Sequence, residues 1–81
     1  MIRMFYVYIL RLVDKSLYIG YSTNLKDRIR YHGDGKVEST KNLRPIKLEF
    51  YAAFKEKTKA VRFEKYLKSS SGFAFRKKRL I

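Results

Sequence analysis

Met4-Phe5-Tyr6-Val7-Tyr8-Ile9-Leu10, a turn at Asp14-Lys15-Ser16, then Leu17-Tyr18-Ile19-Gly20-Tyr21 read as the two strands of one hairpin. Both runs are rich in β-branched and aromatic residues, which suit a pleated, packed surface. The first run is apolar on both of its faces, which implies a sheet covered on both sides. The loop length decides which face each tyrosine takes. A two-residue turn at Asp14-Lys15 would set Tyr8 and Tyr18 on opposite faces. An odd loop, Val13-Asp14-Lys15, pairs Leu10 with Tyr18 and Tyr8 with Gly20. It puts Tyr8, Tyr18 and Gly20 on one face. The odd loop is the expectation.

Beyond the hairpin, Asn24 is a cap for a first helix over residues 25 to about 32. Asp27 sits near the positive end of its dipole, and Gly33 and Gly35 act as stop signals. A polar loop, residues 36–44, ends at Pro45. A third strand covers residues 46–54, alternating imperfectly through Ile46, Leu48 and Phe50. Thr58 is the expected cap of a second helix from 59 to about 68, which Ser69-Ser70-Ser71-Gly72 ends; residues 73–80 suit a short third helix. The order β-β-α-β-α predicts an α+β fold, a three-stranded antiparallel sheet flanked by helices, in a single domain over residues 1–81.

The chain has 81 residues and a modest core, with seven Tyr and six Phe supplying much of its volume. It carries 20 Lys and Arg against 7 Asp and Glu, a net charge of +13 that favours a polyanionic partner, nucleic acid first. No cysteine is present, which excludes disulfides, thiolate zinc sites and cysteine nucleophiles. One histidine excludes a multi-histidine metal cage. The apolar N-terminal run is too short to span a bilayer and lacks a small-residue cleavage site. A cytoplasmic monomer with no membrane partner is expected.

Polar residues fall where core residues are expected. At about 100° per residue, Leu25 and Ile29 make the apolar stripe of the first helix, and Arg28 and His32 fall beside it. On the second helix Ala60, Phe63 and Leu67 make the stripe, and Glu64 lies within it. A carboxylate there needs a partner, a proton or a metal. Structural readings exist for each residue. Arg28 can snorkel to solvent, Glu64 can pair with Arg28, and both tyrosines can be aromatic packing with a satisfied hydroxyl.

Tyr6-Val7-Tyr8 followed by Tyr18-Ile19-Gly20 resembles the paired motif of GIY-YIG nucleases. Arg28 ten residues after Tyr18, His32 one turn later and Glu64 on a later helix extend the resemblance over nearly the whole chain. The Ser39-Thr40-Lys41 loop, Pro45 before a strand and the run Glu64-Lys65-Tyr66-Leu67-Lys68 are similar to small stand-alone members related to the excinuclease C nuclease domain. There are departures. Tyr6 stands where the first motif usually has glycine. Many members also carry an asparagine after the glutamate, whereas Asn24 and Asn42 both precede Glu64.

The resemblance implies a metal-dependent endonuclease that hydrolyses phosphodiester bonds, with DNA ahead of RNA. Its site is Tyr8, Tyr18, Arg28, His32 and Glu64. Glu64 ligates one Mg²⁺ or Mn²⁺ ion, expected mainly with substrate bound. Tyr18 takes the proton of the attacking water, and Tyr8 orients the water or a phosphate oxygen. Arg28 stabilises phosphate charge, and His32 relays the proton or holds the tyrosines. Gly20, lacking a Cβ, lets backbone or substrate come close. Lys36, Lys41, Arg44, Lys68 and the run Arg76-Lys77-Lys78-Arg79 are candidate phosphate contacts without sequence preference. Two other readings stay open. One is a non-catalytic nucleic-acid-binding or partner-recruiting module that retains the fold; the other is a translation-associated basic protein.

Overall fold

In a computed structural model of the chain, which describes residues 3–69 and 72, the hairpin closes on the odd loop. The Leu12 amide donates to the Ser16 carbonyl (2.9 Å) and the Lys15 amide to the Leu12 carbonyl (2.9 Å). Lys15 takes a positive φ of 72°, the left-handed residue such a three-residue loop requires. Strands β1 (Phe5–Arg11) and β2 (Leu17–Ser22) therefore pair Tyr8 with Gly20 and Leu10 with Tyr18.

The remaining elements are α1 (Leu25–Gly33), β3 (Lys47–Phe54) and α2 (Lys57–Lys68). The sheet order is β2-β1-β3, all antiparallel. β1 is the central strand, and Val7, Tyr8, Ile9 and Leu10 are wholly buried. Val7 and Ile9 pack with Ile19 against Ala60 and Leu67 of α2, and Tyr8 and Leu10 pack against Leu25 and Ile29 of α1. The two helices thus cover opposite faces. Full burial of aliphatic side chains contributes roughly 1.5–3 kcal/mol each, so β1 organises both halves of the core.

α1 starts as the sequence predicts. The Asn24 side chain accepts from the Asp27 amide (3.1 Å) and donates back to the Asp27 carboxylate (3.0 Å). It ends with Gly35 at φ +75°. α2 corrects the expected cap. Its N-cap is Glu56, with no side-chain cap bond, and Thr58 lies inside the first turn. β3 corrects the expected alternation. A bulge shifts its register between Ile9 and Leu10, so Leu48 pairs with Leu10 while Phe50 pairs with Ile9. Leu48 and Phe50 therefore face opposite sides, and Leu48 and Tyr51 share the α1 side. The loop read as polar is partly inward-facing, since Val37 and Thr40 are buried and Leu43 packs on the α1 side. The third helix expected over residues 73–80 lies outside the described residues.

Candidate nuclease site

The site grows from the space above Gly20. A Cβ built there would stand 2.3 Å from the Tyr8 ring carbon bearing the hydroxyl and from the hydroxyl itself. The Tyr8 phenol therefore lies across β2, pointing from the central strand to the β2 edge. This corrects the role expected for Gly20. It is buried, and the room it leaves belongs to Tyr8 and not to a substrate.

A line of hydrogen bonds runs inward from that phenol. Arg28 Nε donates to Tyr8 Oη at 3.4 Å, a long bond. Tyr8 Oη and His32 Nε2 are 2.9 Å apart, and His32 Nδ1 and Thr40 Oγ1 are 2.8 Å apart. Tyr8, His32 and Thr40 have no exposed surface. Burial raises the Tyr8 pKa, opposed by the Arg28 hydrogen bond, so the phenol keeps its proton. A buried O–H needs an acceptor. Arg28 is only a donor, so among the described residues the acceptor is His32 Nε2. His32 itself is lowered to about 4, by burial first and then by the charge of Arg28, and is neutral at pH 7. Its proton therefore sits on Nδ1 and is donated to Thr40. The line is head-to-tail, Arg28 to Tyr8 to His32 to Thr40, and each bond polarises the next.

The groups that meet solvent stand in front of this line. Tyr18 and Arg28 are half-buried. The Tyr18 ring meets the His32 ring edge-on, 4.9 Å between centroids. The Arg28 charge is held by its hydrogen bond to Tyr8, against some desolvation, with Tyr18 adding to it. The charge of Glu64, on α2, is among those that disfavour the Tyr8 phenolate. Its side chain is 20% exposed, and its ion-pair partner is Lys68 at 3.2 Å. The Glu64–Arg28 pair that the sequence allows does not form among the described residues.

Of the expected phosphate contacts, Lys68 is on Glu64, and Lys41 pairs with Glu38 at 3.2 Å. Lys36 lies over the Tyr31 ring, 5.4 Å from its centroid. Arg44 donates to the Lys41 carbonyl (2.9 Å) and the Gly33 carbonyl (3.2 Å), which fastens the loop to the end of α1. All are surface contacts worth little individually against solvent. Arg76, Lys77, Lys78 and Arg79 lie outside the described residues. Thr40 was missed as a site residue. Its signal was the spacing of Val37, Thr40 and Leu43, three apart in a loop otherwise polar.

No cluster of three or more His, Asp or Glu side chains forms among the described residues. One half-buried carboxylate fits a Mg²⁺ or Mn²⁺ ion that keeps most of its waters and takes phosphate oxygens, and does not fit an all-protein cage. No helix among the described residues is long and apolar enough to cross a membrane.

Residues 4–79 match the model of the GIY-YIG catalytic domain. The chain is 43% identical over 67 residues to a UPF0213 protein of Staphylococcus haemolyticus, covering 82% of each. It is 41% identical over 64 residues to one of Clostridium perfringens, covering 78% of this chain and 69% of the relative. Its fold is similar to the solution NMR structure of the UPF0213 protein of Bacillus halodurans. That match has TM-score 0.57 and 36% identity, and covers 89% of this chain and 80% of the other.

Proposed function

The chain belongs to the GIY-YIG family, and from that premise we propose that it is a metal-dependent endonuclease. It hydrolyses phosphodiester bonds in nucleic acid, DNA ahead of RNA, with little sequence specificity. One observation carries the reading. Arg28 is held by a line of hydrogen bonds through Tyr8 and His32 to Thr40, the Tyr18 ring lies against His32, and the charge of Glu64 acts on Tyr8.

The residues divide the work. Arg28, held by Tyr8, presents its remaining guanidinium N–H groups to the scissile phosphate and stabilises the charge that develops there. Tyr18 is the phenol that reaches solvent, so it is the one that can give its own proton to solvent and, as phenolate, accept the proton of an attacking water. Tyr8 is sealed and protonated, which turns its expected contact with water or phosphate into a positioning role. His32, neutral and buried, fixes Tyr8, and Thr40 fixes His32. Glu64 would hold one Mg²⁺ or Mn²⁺. That ion, when bound, supplies Lewis-acid neutralisation of the phosphate and leaving oxygens.

The Lys68–Glu64 pair favours a second reading, a nucleic-acid-binding module without catalysis, because an ammonium already neutralises the carboxylate. Supercoiled plasmid with Mg²⁺, Mn²⁺ or chelator separates the two. Metal-dependent nicking that Glu64→Ala and Arg28→Ala abolish, both variants remaining folded, is the expected result. Binding without nicking of plasmid, branched DNA or RNA would leave the second reading standing.

A further inference from the structure

α1 leaves part of its own face of the sheet open. Beside it runs a groove of about 510 Å³, lined by Tyr6, Leu25, Lys26, Ile29, Leu48 and Tyr51 among others. That volume is in the range of small-ligand sites, roughly 300–1,000 Å³. The β3 bulge makes it, by turning both Leu48 and Tyr51 to this side. Tyr51 is 53% exposed, and its ring lies 6.4 Å from that of Tyr6, tilted by 56°. Neither hydroxyl has a hydrogen-bond partner among the described residues.

The occupant follows from the chemistry. The walls are mainly aromatic and aliphatic, with the uncharged polar Thr23 and Asn24 where α1 begins. Lys26 is the one charged residue in the lining, it has no ion pair among the described residues, and no carboxylate joins it. A nucleotide matches all of this, offering a flat base to the rings and an anionic phosphate to the ammonium. An apolar peptide would leave Lys26 unmatched. A second copy would bring another chain of charge +13 against it.

The position fits as well. Tyr51 pairs directly with Tyr8 across β1 and β3, so the groove and the Arg28 site share one face of the sheet. α1 contributes to both, Leu25, Lys26 and Ile29 to the groove and Arg28 and His32 to the site. We propose that this groove holds one unpaired nucleotide of a nucleic-acid ligand, its base against Tyr51 and Tyr6 and its phosphate toward Lys26. Resting on the nuclease reading, it names the substrate class: strands with an unpaired nucleotide beside the cut, in single-stranded, branched or frayed DNA or RNA.

The test is fluorescence anisotropy in chelator, where cleavage is suppressed. Labelled oligothymidine is compared with a duplex of equal length, for the wild type, Tyr51→Ala and Tyr51→Phe. Tyr51→Ala should weaken oligothymidine binding by about 5- to 100-fold and leave duplex binding within about two-fold, while Tyr51→Phe, which keeps the ring, stays near wild type. Equal loss on both ligands, no loss, a Tyr51→Phe defect as large as that of alanine, or a wild type that binds no single strand would each overturn the proposal. An apolar peptide as the true occupant would appear as no loss. Plasmid nicking with the same preparations is read separately, so a failed nuclease reading and a failed groove give different results.

Discussion

Acid should weaken this fold through His32. The folded protein holds its pKa at about 4, through burial and then the charge of Arg28, against an ordinary value of 6.5. Between those values the unfolded chain binds a proton that the folded protein refuses. Stability attributable to His32 is therefore full above 6.5 and falls as the pH drops toward 4. From about pH 7 to pH 4.5, one group with these two values costs roughly 2 kcal/mol. Small domains have on the order of 5–15 kcal/mol in total. Urea denaturation of the wild type and His32→Gln at both pH values measures the effect, since the carboxylates titrate in both proteins and cancel in the difference. The variant should be less stable at neutral pH by about 1–3 kcal/mol, because it disrupts a buried pair of hydrogen bonds. The wild-type advantage should then shrink by roughly 2 kcal/mol at the lower pH. An advantage of the same size at both pH values would refute the neutral, buried imidazole.

Thr40→Val removes the acceptor of the His32 Nδ1 proton; ¹⁵N NMR should find that proton on Nδ1 in the wild type and still on Nδ1 in the variant, because Nε2 goes on accepting from Tyr8. The variant should also lose about 1–3 kcal/mol in thermal or urea unfolding. Gly20→Ala forces a methyl into the Tyr8 phenol, with a built distance of 2.3 Å. A loss of about 1–3 kcal/mol is expected by denaturation, together with displaced Tyr8 ring resonances. Lys68→Ala frees Glu64 from its 3.2 Å ion pair. If Glu64 holds the metal, half-maximal nicking should need less Mg²⁺ in the titration, and an unchanged requirement would exclude that role.

The hairpin register was legible because side chains alternate with period two, so loop parity alone decides which face Tyr8 and Tyr18 share. The capped start of α1 was legible because Asn24 and Asp27 act locally. What sequence periodicity missed was set by tertiary contact. The bulge in β3 breaks the alternation without a glycine or proline to mark it. Gly20 suggested space but not its occupant, since the Tyr8 ring comes from another strand. Thr40 became visible only when its loop folded under α1 to meet His32. The carboxylate of Glu64 was flagged by its place on an apolar stripe, but the ion-pair partner named for it, Arg28, gives way to Lys68, which stands one turn later on the same helix.

The division between a solvent-facing phenol and a buried one is tested most directly by single-turnover cleavage across pH, at saturating Mg²⁺, for the wild type, Tyr18→Phe and Tyr8→Phe. Tyr18→Phe should lower the rate by about 10²- to 10⁴-fold and flatten its dependence on pH, as loss of a general base does. Tyr8→Phe should slow cleavage less and keep the wild-type pH profile, because it loosens Arg28 without removing the base. A wild type that does not cut, or a Tyr18→Phe protein that cuts with the wild-type rate and profile, would contradict the account.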